Sequence, residues 1–311
     1  MINVSVIIPI YNGESDLPEL IKSLENQTYP SDLVEYLLID NNSSDRTFDI
    51  LAAAVKKAQK QGIKLRHLTE NKIQSSYAAR NLGIRESSNE ILVFTDADCR
   101  PDSHWLEKIV QPFSNSSVGI VVGGIVAYPG KSLLEKYADR KQLMSQKFLI
   151  EHPFYPYGQT ANIAIRKQAF RDVGLFRPYL TTGGDADICW RIQKEANWQL
   201  EYVPEAFIYH RHRSNFKSFR SQFRRYGRSN RYLHQLHGVD LMRKLTLKEV
   251  VYRLGRWILK ELPRDSIKAI SGKGSLVDLI NTPIDLVGFQ ARTLGQEESQ
   301  LPEAAKYIEK L

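Results

Sequence analysis

The chain has 311 residues, of which 42% are hydrophobic and 25% charged, and its formal net charge is +8. This balance is typical of a globular protein and excludes a disordered or collagen-like chain. Cys99 and Cys189 allow at most one disulfide and lie in no metal-binding cluster, so we expect a reducing cytoplasm. No export signal opens the sequence and no apolar run reaches the roughly 18 residues of a membrane span, so we expect neither secretion nor a transmembrane segment.

Residues 1–127 alternate short apolar segments with amphipathic ones. The pattern predicts strands over residues 4–8, 36–39, 64–68, 91–94 and 118–126, and helices over residues 15–27, 44–60, 74–85 and 102–113. Strands that alternate with helices are typical of βαβ units. We therefore predict an α/β fold with a doubly wound, mostly parallel sheet.

Residues 128–212 are more mixed. The pattern predicts helices over residues 133–150, 167–173 and 185–196, and strands over residues 161–165, 199–203 and 207–209. Beyond residue 215 the sequence is helical and basic, which predicts an appended helical region at the C-terminal side.

Polar residues directly follow three of the predicted strands. Tyr11 follows the first, Asp40 ends the second, and Asp96 and Asp98 follow the fourth. Ligands of open parallel sheets bind beyond the carboxyl ends of the strands, so we expect these loops to converge on one crevice. Paired carboxylates suit Mg²⁺ or Mn²⁺ that bridges the phosphates of a nucleotide. A solvated acidic turn is the alternative interpretation of Asp96 and Asp98.

Asp40 and Arg80 each allow two interpretations at the same predicted crevice. Asp40 could accept a hydrogen bond from a nucleobase, or it could close a local turn. Arg80, in a predicted helix, could reach a pyrophosphate, or it could be an exposed helical arginine. Sequence alone leaves both choices open.

Candidates for acid–base and metal chemistry lie further along the chain. Asp185 and Asp187 open a predicted helix, where a carboxylate can act as a general base or cap the helix. His210 and His212 occupy alternate positions after the last predicted strand, so only one of them can point to a given face. One of these imidazoles could ligate a metal, and a structural histidine is the alternative.

Seven segments of the sequence together resemble the family 2 glycosyltransferases, which are inverting enzymes with the GT-A fold. The segments are SVIIPIYNG, IDNNSSD, AARNLGI, FTDAD, ANIAIRKQAFRDVGLF, GGDADICWR and YHRH. They follow the family's order and approximate spacing over residues 3–212, and seven ordered matches are far more specific than any single one. The resemblance implies transfer of a hexosyl group from a nucleotide sugar to an acceptor hydroxyl.

The resemblance also implies roles for individual residues. The implied nucleotide-binding residues are Pro9, Tyr11, Glu14, Asp40, Arg80 and Asp96. Asp98 and His210 are implied to hold Mn²⁺ or Mg²⁺ with the diphosphate, with His212 as the alternative ligand. Asp185 matches the catalytic base. Gly184 stands where the family commonly has a glutamate, so Asp187 is the other carboxylate left for that role.

On this interpretation, residues 1–212 form the GT-A domain, with a nucleotide-sugar half at 1–127 and an acceptor and catalytic-base half at 128–212. Residues 213–311 form the basic, mainly helical region. We expect a UDP-sugar donor, a saccharide or lipid-linked acceptor and no nucleic acid. A sugar nucleotidyltransferase is the enzymatic alternative, although it would carry a glycine-rich basic loop after the first strand. A nucleic-acid-binding protein would use the basic region but would leave the strand-end carboxylates unexplained.

The basic region carries most of the positive charge. Residues 211–273 contain 17 Lys and Arg against 4 Asp and Glu, a net charge of +13, so the remainder carries −5. Phe216, Phe219 and Phe223 recur at helical spacing beside arginines, which suits a helix on an anionic membrane surface or one packed on protein. A second apolar pattern, over residues 241–262, allows the same two interpretations. The membrane interpretation would attach a cytoplasmic protein to the inner face of the membrane.

Overall fold

The computed structural model describes residues 1–311. The chain forms two compact units, each built from separate segments. The first contains Met1–Val126, Ser145–Arg211 and Pro302–Leu311, and the second contains Ala127–Met144 and His212–Leu301. The unit changes between Arg211 and His212, next to the expected boundary at residue 212. Two segments differ from the expected division. Ala127–Met144 was expected in the GT-A domain and packs in the second unit, whereas Pro302–Leu311 was expected in the C-terminal region and packs in the first. Their contacts are with residues distant in sequence.

The first unit is organised around one eight-stranded sheet. The strands are β1 (Val4–Ile10), β2 (Val34–Asp40), β3 (Lys64–Thr69), β4 (Ile91–Thr95), β5 (Arg100–Pro101), β6 (Val118–Ala127), β7 (Asn162–Arg166) and β8 (Gln199–His210). Their order is β3-β2-β1-β4-β7-β6-β8-β5. The pairs β3–β2, β2–β1 and β1–β4 are parallel, whereas β7 pairs antiparallel with β4 and β6, and β5 pairs antiparallel with β8. The predicted α/β architecture is confirmed.

Helices flank the sheet and form the second unit. In chain order they are α1 (Leu17–Glu25), α2 (Thr47–Lys60), α3 (Ser76–Glu86), α4 (Trp105–Val110), α5 (Leu133–Arg140), α6 (Lys147–Ile150), α7 (Lys167–Val173), α8 (Gly184–Ala196), α9 (Phe216–His237), α10 (Leu247–Arg256), α11 (Leu262–Ile270) and α12 (Leu276–Glu297). A π-helical turn, Trp257–Glu261, joins α10 to α11. No helix combines the length and the apolar character that crossing a bilayer would require.

Two predicted elements differ from the structure. The helix expected over residues 133–150 is divided into α5 and α6, and Gln142 between them has φ 50°. A residue in the left-handed region cannot continue a right-handed helix. The two strands expected over residues 199–203 and 207–209 are the single strand β8, so the residues between them continue its extended backbone.

The strands β1, β2 and β4 are apolar and lie at the centre of the sheet. Every residue of β1, β2 and β4 is buried, including Val6, Ile8 and Val93, because helices cover both faces of the sheet. The edge strand β3 instead has exposed residues, including Lys64 and Arg66. The parallel central strands therefore carry their carboxyl-terminal loops, with the polar residues noted above, to one edge of a rigid layer.

Asn162 connects the strands of the antiparallel half. Its side chain is fully buried and accepts a hydrogen bond from Trp105 Nε1 at 2.7 Å. Its amide donates to the carbonyl oxygens of Gly124 at 2.6 Å and Ala206 at 2.8 Å. One side chain thus joins β7 to β6, β8 and α4 inside the core.

In the second unit, α9 and α12 pack at very short range. A Cβ atom added at Gly227 would lie 1.8 Å from the carbonyl oxygen of Arg292, so only glycine allows this approach. Phe219 is buried, and its ring lies 4.6 Å from that of Phe223. The packing interpretation therefore applies to Phe219, and insertion of this ring into a membrane is wrong. Phe223 is partly buried against the same cluster. Phe216 at the start of α9 remains 48% exposed.

We predict that Asn162→Ala lowers the free energy of unfolding by about 3 kcal/mol or more. The substitution leaves an indole N–H and two carbonyl oxygens buried without partners, and each such group costs about 1–3 kcal/mol. Urea unfolding followed by tryptophan fluorescence measures the loss. A change within about 0.5 kcal/mol, the range of surface substitutions, would show that Asn162 does not hold these strands together.

Candidate functional site

The loops after β1 and β2 are tied to each other by hydrogen bonds. The Asn12 amide donates to Ser43 Oγ at 2.8 Å, and Asn12 Oδ1 accepts from the Ser44 amide at 2.9 Å. The Gly13 amide donates to Thr47 Oγ1 at 2.8 Å. Asn12 has φ 49°, a left-handed conformation that asparagine tolerates better than most residues. These bonds give the predicted nucleotide edge of the sheet a defined backbone.

The predicted nucleotide-binding residues on these loops differ in their surroundings. Pro9 is buried in β1, whereas Tyr11 is 58% exposed just beyond the strand. Glu14 pairs with Arg46, whose hydrogen bonds lower the pKa of the Glu14 carboxyl. Buried Asp40 accepts a hydrogen bond from the Ser43 amide through Oδ1, at 3.1 Å. This bond closes the local turn that was one of the two interpretations of Asp40. It uses only Oδ1, so Oδ2 is left for a nucleobase donor.

Arg80 lies in the interior of the site. It is 3% exposed, so the alternative of an exposed helical arginine is wrong. Its Nη2 donates to Asp96 Oδ1 at 2.5 Å, and its guanidinium lies 5.6 Å from the centre of the Tyr77 ring. Asp96 is therefore neutralised by a cation of the protein itself.

Asp98, the second carboxylate after β4, is adjacent to the end of β8. His210 Nε2 lies 3.2 Å from Asp98 Oδ2, and His210 Nδ1 lies 2.8 Å from the carbonyl oxygen of Arg211. A carbonyl next to Nδ1 fixes the proton there, so Nε2 carries the lone pair toward Asp98 in the neutral imidazole. His212 instead contacts Asp139 at 2.8 Å in the second unit. Of the two histidines, only His210 adjoins the strand-end carboxylates.

The donor atoms of Asp98 and His210 fit a hard divalent cation. Burial acts to lower the pKa of His210, but Asp98, the Arg211 carbonyl and Asp96 outweigh it, and the net shift is upward. The same negative potential would attract a metal ion. Cys99 Sγ lies within 4.8 Å of both groups, but burial raises the pKa of its thiol well above the ordinary value. A protonated thiol is a poor ligand, so the oxygen and imidazole donors favour Mn²⁺ or Mg²⁺ over a thiolate-bound metal.

Asp185 lies in the first turn of α8. Its Oδ1 accepts a hydrogen bond from Thr160 Oγ1 at 2.9 Å. Burial raises the pKa of Asp185, Arg80 and Thr160 act to lower it, and the charge of Asp96 raises it, with a net upward shift. Asp96 thus acts on both Asp185 and His210, which places the three groups in one electrostatic cluster. A raised carboxyl pKa increases the basicity of the anion, as a general base requires.

Asp187, two residues further along α8, has a different environment. It is fully buried, with Oδ1 accepting from Arg177 Nε at 3.0 Å and Oδ2 from Arg191 Nε at 3.1 Å. Arg191 also donates to three backbone carbonyls, among them Leu175 at 2.7 Å. Both oxygens of Asp187 are therefore engaged, and the residue does not fit the role of a general base.

Two residues at the site were missed in the sequence. Thr160 binds Asp185, and no motif marks it. Tyr77 precedes Arg80 by three residues on α3, a spacing that places both on one helix face and could have identified it. The Tyr77 hydroxyl accepts from the Gly184 amide at 3.0 Å, and a Cβ at Gly184 would lie 2.6 Å from the tyrosine ring. A glutamate at position 184 would therefore clash with the Tyr77 ring.

Comparisons with known proteins show which family this chain resembles. Residues 5–174 match Glycosyl transferase family 2, and residues 91–264 match Glycosyl transferase family group 2. Glycosyltransferase AglE of Haloferax volcanii is 32% identical over 258 residues, which are 82% of this chain and 80% of the relative. The pre-mycofactocin glycosyltransferase of Mycobacterium tuberculosis is 28% identical over 73% of this chain and 46% of the relative.

Solved structures share the fold. Mannosyltransferase PcManGT from Pyrobaculum calidifontis, in complex with GDP-Man and Mn²⁺, matches with a TM-score of 0.66 and 17% identity, over 95% of this chain and 87% of that one. S. aureus TarS 1-349 in complex with UDP matches with a TM-score of 0.53 and 16% identity, over 95% and 90% of the two chains. The GT-A fold expected from the sequence is confirmed.

We predict that Asp187→Asn lowers the free energy of unfolding by about 3–5 kcal/mol, because it leaves Arg177 and Arg191 without their buried counter-charge. Asp185→Asn should not lower it at pH 7. The folded-state pKa of Asp185 is raised, so any stability from this group is present at low pH and is lost as pH rises through that value. Urea unfolding of both variants at pH 7 makes the comparison. Equal losses would contradict the different roles assigned to the two carboxylates.

Proposed function

The chain belongs to glycosyl transferase family 2, and from that premise we propose that it transfers the hexosyl group of a UDP-sugar to an acceptor hydroxyl, with inversion at the anomeric carbon. The observation that carries the proposal is the cluster at the carboxyl ends of the parallel strands. There, Asp98 adjoins His210, Arg80 neutralises Asp96, and Asp185 has a raised pKa. The cluster combines a metal site with a basic carboxylate.

Asp98 and His210 would hold the metal. When bound there, Mn²⁺ or Mg²⁺ supplies a positive charge that stabilises the departing nucleoside diphosphate. The Arg211 carbonyl orients the His210 ring. Arg80 holds Asp96 by an ion pair, so Asp96 does not compete for the metal as a free carboxylate. These two residues would supply one carboxylate oxygen and one imidazole nitrogen to the ion.

Asp185 is the proposed general base. A hydroxyl is a weak nucleophile, and a carboxylate within hydrogen-bond reach takes its proton as the oxygen attacks the anomeric carbon. Thr160 holds one oxygen of Asp185, which leaves Oδ2 to accept the proton. Since Asp187 is bound by two arginines, no second carboxylate on α8 competes for the role. A single displacement with one base inverts the configuration.

For the donor, Asp40 and Tyr11 at the ends of β2 and β1 are the proposed base-binding residues, and Pro9 and Glu14 shape the adjoining loop. TarS was solved with UDP and PcManGT with GDP-Man, so the fold accommodates either nucleotide. In the proposed complex the nucleotide is UDP, and its uracil imide N–H donates to Asp40 Oδ2. Calorimetry with UDP-sugars and GDP-mannose, each with Mn²⁺ or Mg²⁺, tests the assignment, and preference for guanine would overturn it.

The acceptor is proposed to be a saccharide or a lipid-linked sugar, as in the synthesis of a polysaccharide. The net charge of +13 over residues 211–273 supports attachment at an anionic membrane surface on the cytoplasmic side. Transfer assays with saccharide acceptors and with lipid-linked acceptors in detergent distinguish the two acceptor classes.

We predict that Asp98→Ala abolishes metal-dependent donor binding, because it removes one of two proposed protein ligands. Calorimetric titration of UDP with and without Mn²⁺ measures the effect. Asp32→Ala is the matched control, since Asp32 is an exposed aspartate just before the amino end of β2, at the opposite edge of the parallel strands from Asp98. Unchanged metal dependence in folded Asp98→Ala would contradict the metal site.

We predict that Asp185→Asn reduces the rate of transfer by about 10²–10⁴-fold, because an amide cannot accept the acceptor proton. Binding of UDP should remain, since Asp185 is not proposed to touch the nucleotide. Measuring UDP release with acceptor, beside UDP calorimetry, separates the two steps. Near wild-type transfer by Asp185→Asn would remove Asp185 from the mechanism.

The pH dependence supplies a second test of Asp185. Activity should fall as pH drops through the raised pKa of this carboxyl, because the protonated form is not a base. Thr160→Val removes a hydrogen bond that lowers this pKa, so the acidic limb of the profile should move to higher pH. An unmoved limb would assign the titration to another group.

A further inference from the structure

The outer side of the run from α10 to α11 is an exposed apolar surface. Leu247 and Val251 lie one turn apart on α10, Ile258 and Leu259 lie in the π-helical turn, and Ile267 and Ile270 share a face of α11. We call these six side chains the apolar stripe. Their exposed fractions range from 52% for Ile258 to 87% for Ile270. Single exposed apolar residues are ordinary, whereas a contiguous row of them marks an interaction surface.

The inner side of the same run is occupied by polar contacts with α12. Trp257 Nε1 donates to the carbonyl oxygen of Leu279 at 2.9 Å, and Thr282 donates to Glu261 Oε2 at 2.6 Å. These bonds fix which side of the run faces α12. No residue of α10 is buried. The apolar stripe is therefore held outward by its neighbours in the second unit.

Positive charge accompanies the apolar stripe. Residues 247–273 contain 7 Lys and Arg against 3 Asp and Glu, a net charge of +4. Arg256 and Arg264 are paired with Glu261 and Asp265. Lys248, Lys260 and Lys273 are exposed. Amphipathic helices with lysines beside an apolar face bind the interface of anionic bilayers, where rings and aliphatic chains enter the acyl boundary and ammonium groups meet phosphates.

We propose that the apolar stripe and its flanking lysines dock this protein on an anionic lipid bilayer. The inference rests on the proposed membrane attachment and names its surface, which is α10–α11 rather than the aromatic side of α9. Charge decides between a bilayer and a second copy of the chain. A second copy seated on the same surface would bring a net charge of +4 against +4, whereas an anionic bilayer complements it.

The test uses the whole protein and vesicles without donor or acceptor. Wild type is sedimented with vesicles of phosphatidylcholine alone and with vesicles containing about one third phosphatidylglycerol, at low and high salt. The test variant is Leu259→Glu with Ile270→Glu. The matched control is Phe148→Glu with Tyr307→Glu, which makes the same charge change at two exposed aromatic residues of the first unit. Circular dichroism and UDP calorimetry confirm folding of each variant.

Wild type and the control should sediment with the anionic vesicles at low salt, less at high salt, and little with the neutral ones. The test variant should bind at least about ten-fold more weakly. Equal binding by the test variant, or no binding by wild type, would overturn the proposal. Sedimentation velocity without lipid would overturn it in favour of a second copy if the test variant alone loses a dimer. UDP calorimetry without vesicles stays independent, so failure of lipid binding leaves the proposed transfer chemistry intact.

Discussion

The repulsion among carboxylates gathered at one sheet edge is the constraint on which the arrangement of this site depends. Asp96, Asp98 and Asp185 converge because the central strands are parallel and α8 starts beside them. Each charge has a different compensation: an arginine for Asp96, an imidazole for Asp98 and a hydroxyl for Asp185. The strongest compensation, from Arg80, is given to the carboxylate that is not proposed to react. The other two retain enough negative character to attract a cation and a proton.

Asp185 and Asp187 differ in burial and in pairing, although they are only two residues apart on α8. Asp185 and Asp187 lie within the same helical turn, where the helix N-terminus favours anions equally. Asp187 points into the protein and is closed off by two guanidinium groups, one of them fixed by backbone carbonyls. Asp185 receives only neutral hydrogen bonds, from Thr160. Asp187 is therefore fully paired, whereas Asp185, the proposed base, is not.

The sequence predicts best what is local. Strand-end residues such as Asp40 and Asp98 could be placed because alternation and burial pattern fix where a parallel strand ends. The seven ordered segments were enough to indicate the family, which the comparisons confirm. Thr160 and Tyr77 could not be found in the same way, because their roles come from contacts across the fold with Asp185 and Gly184. The helix break at Gln142 and the two discontinuous units also depend on long-range packing.

Amphipathic pattern alone shows that a helix has an apolar face and does not show what covers that face. The rings of α9 and the aliphatic residues of α10–α11 gave equivalent signals in sequence. The difference between them is steric, since Gly227 and Gly295 let α12 approach α9 closely, and Phe219 is buried and Phe223 partly buried beside this contact. No comparable pair of glycines lets another helix approach the outer side of α10. Leu247 and Leu259 therefore remain exposed. Backbone approach, set by two small residues, thus decides which apolar face becomes core and which stays available to a partner.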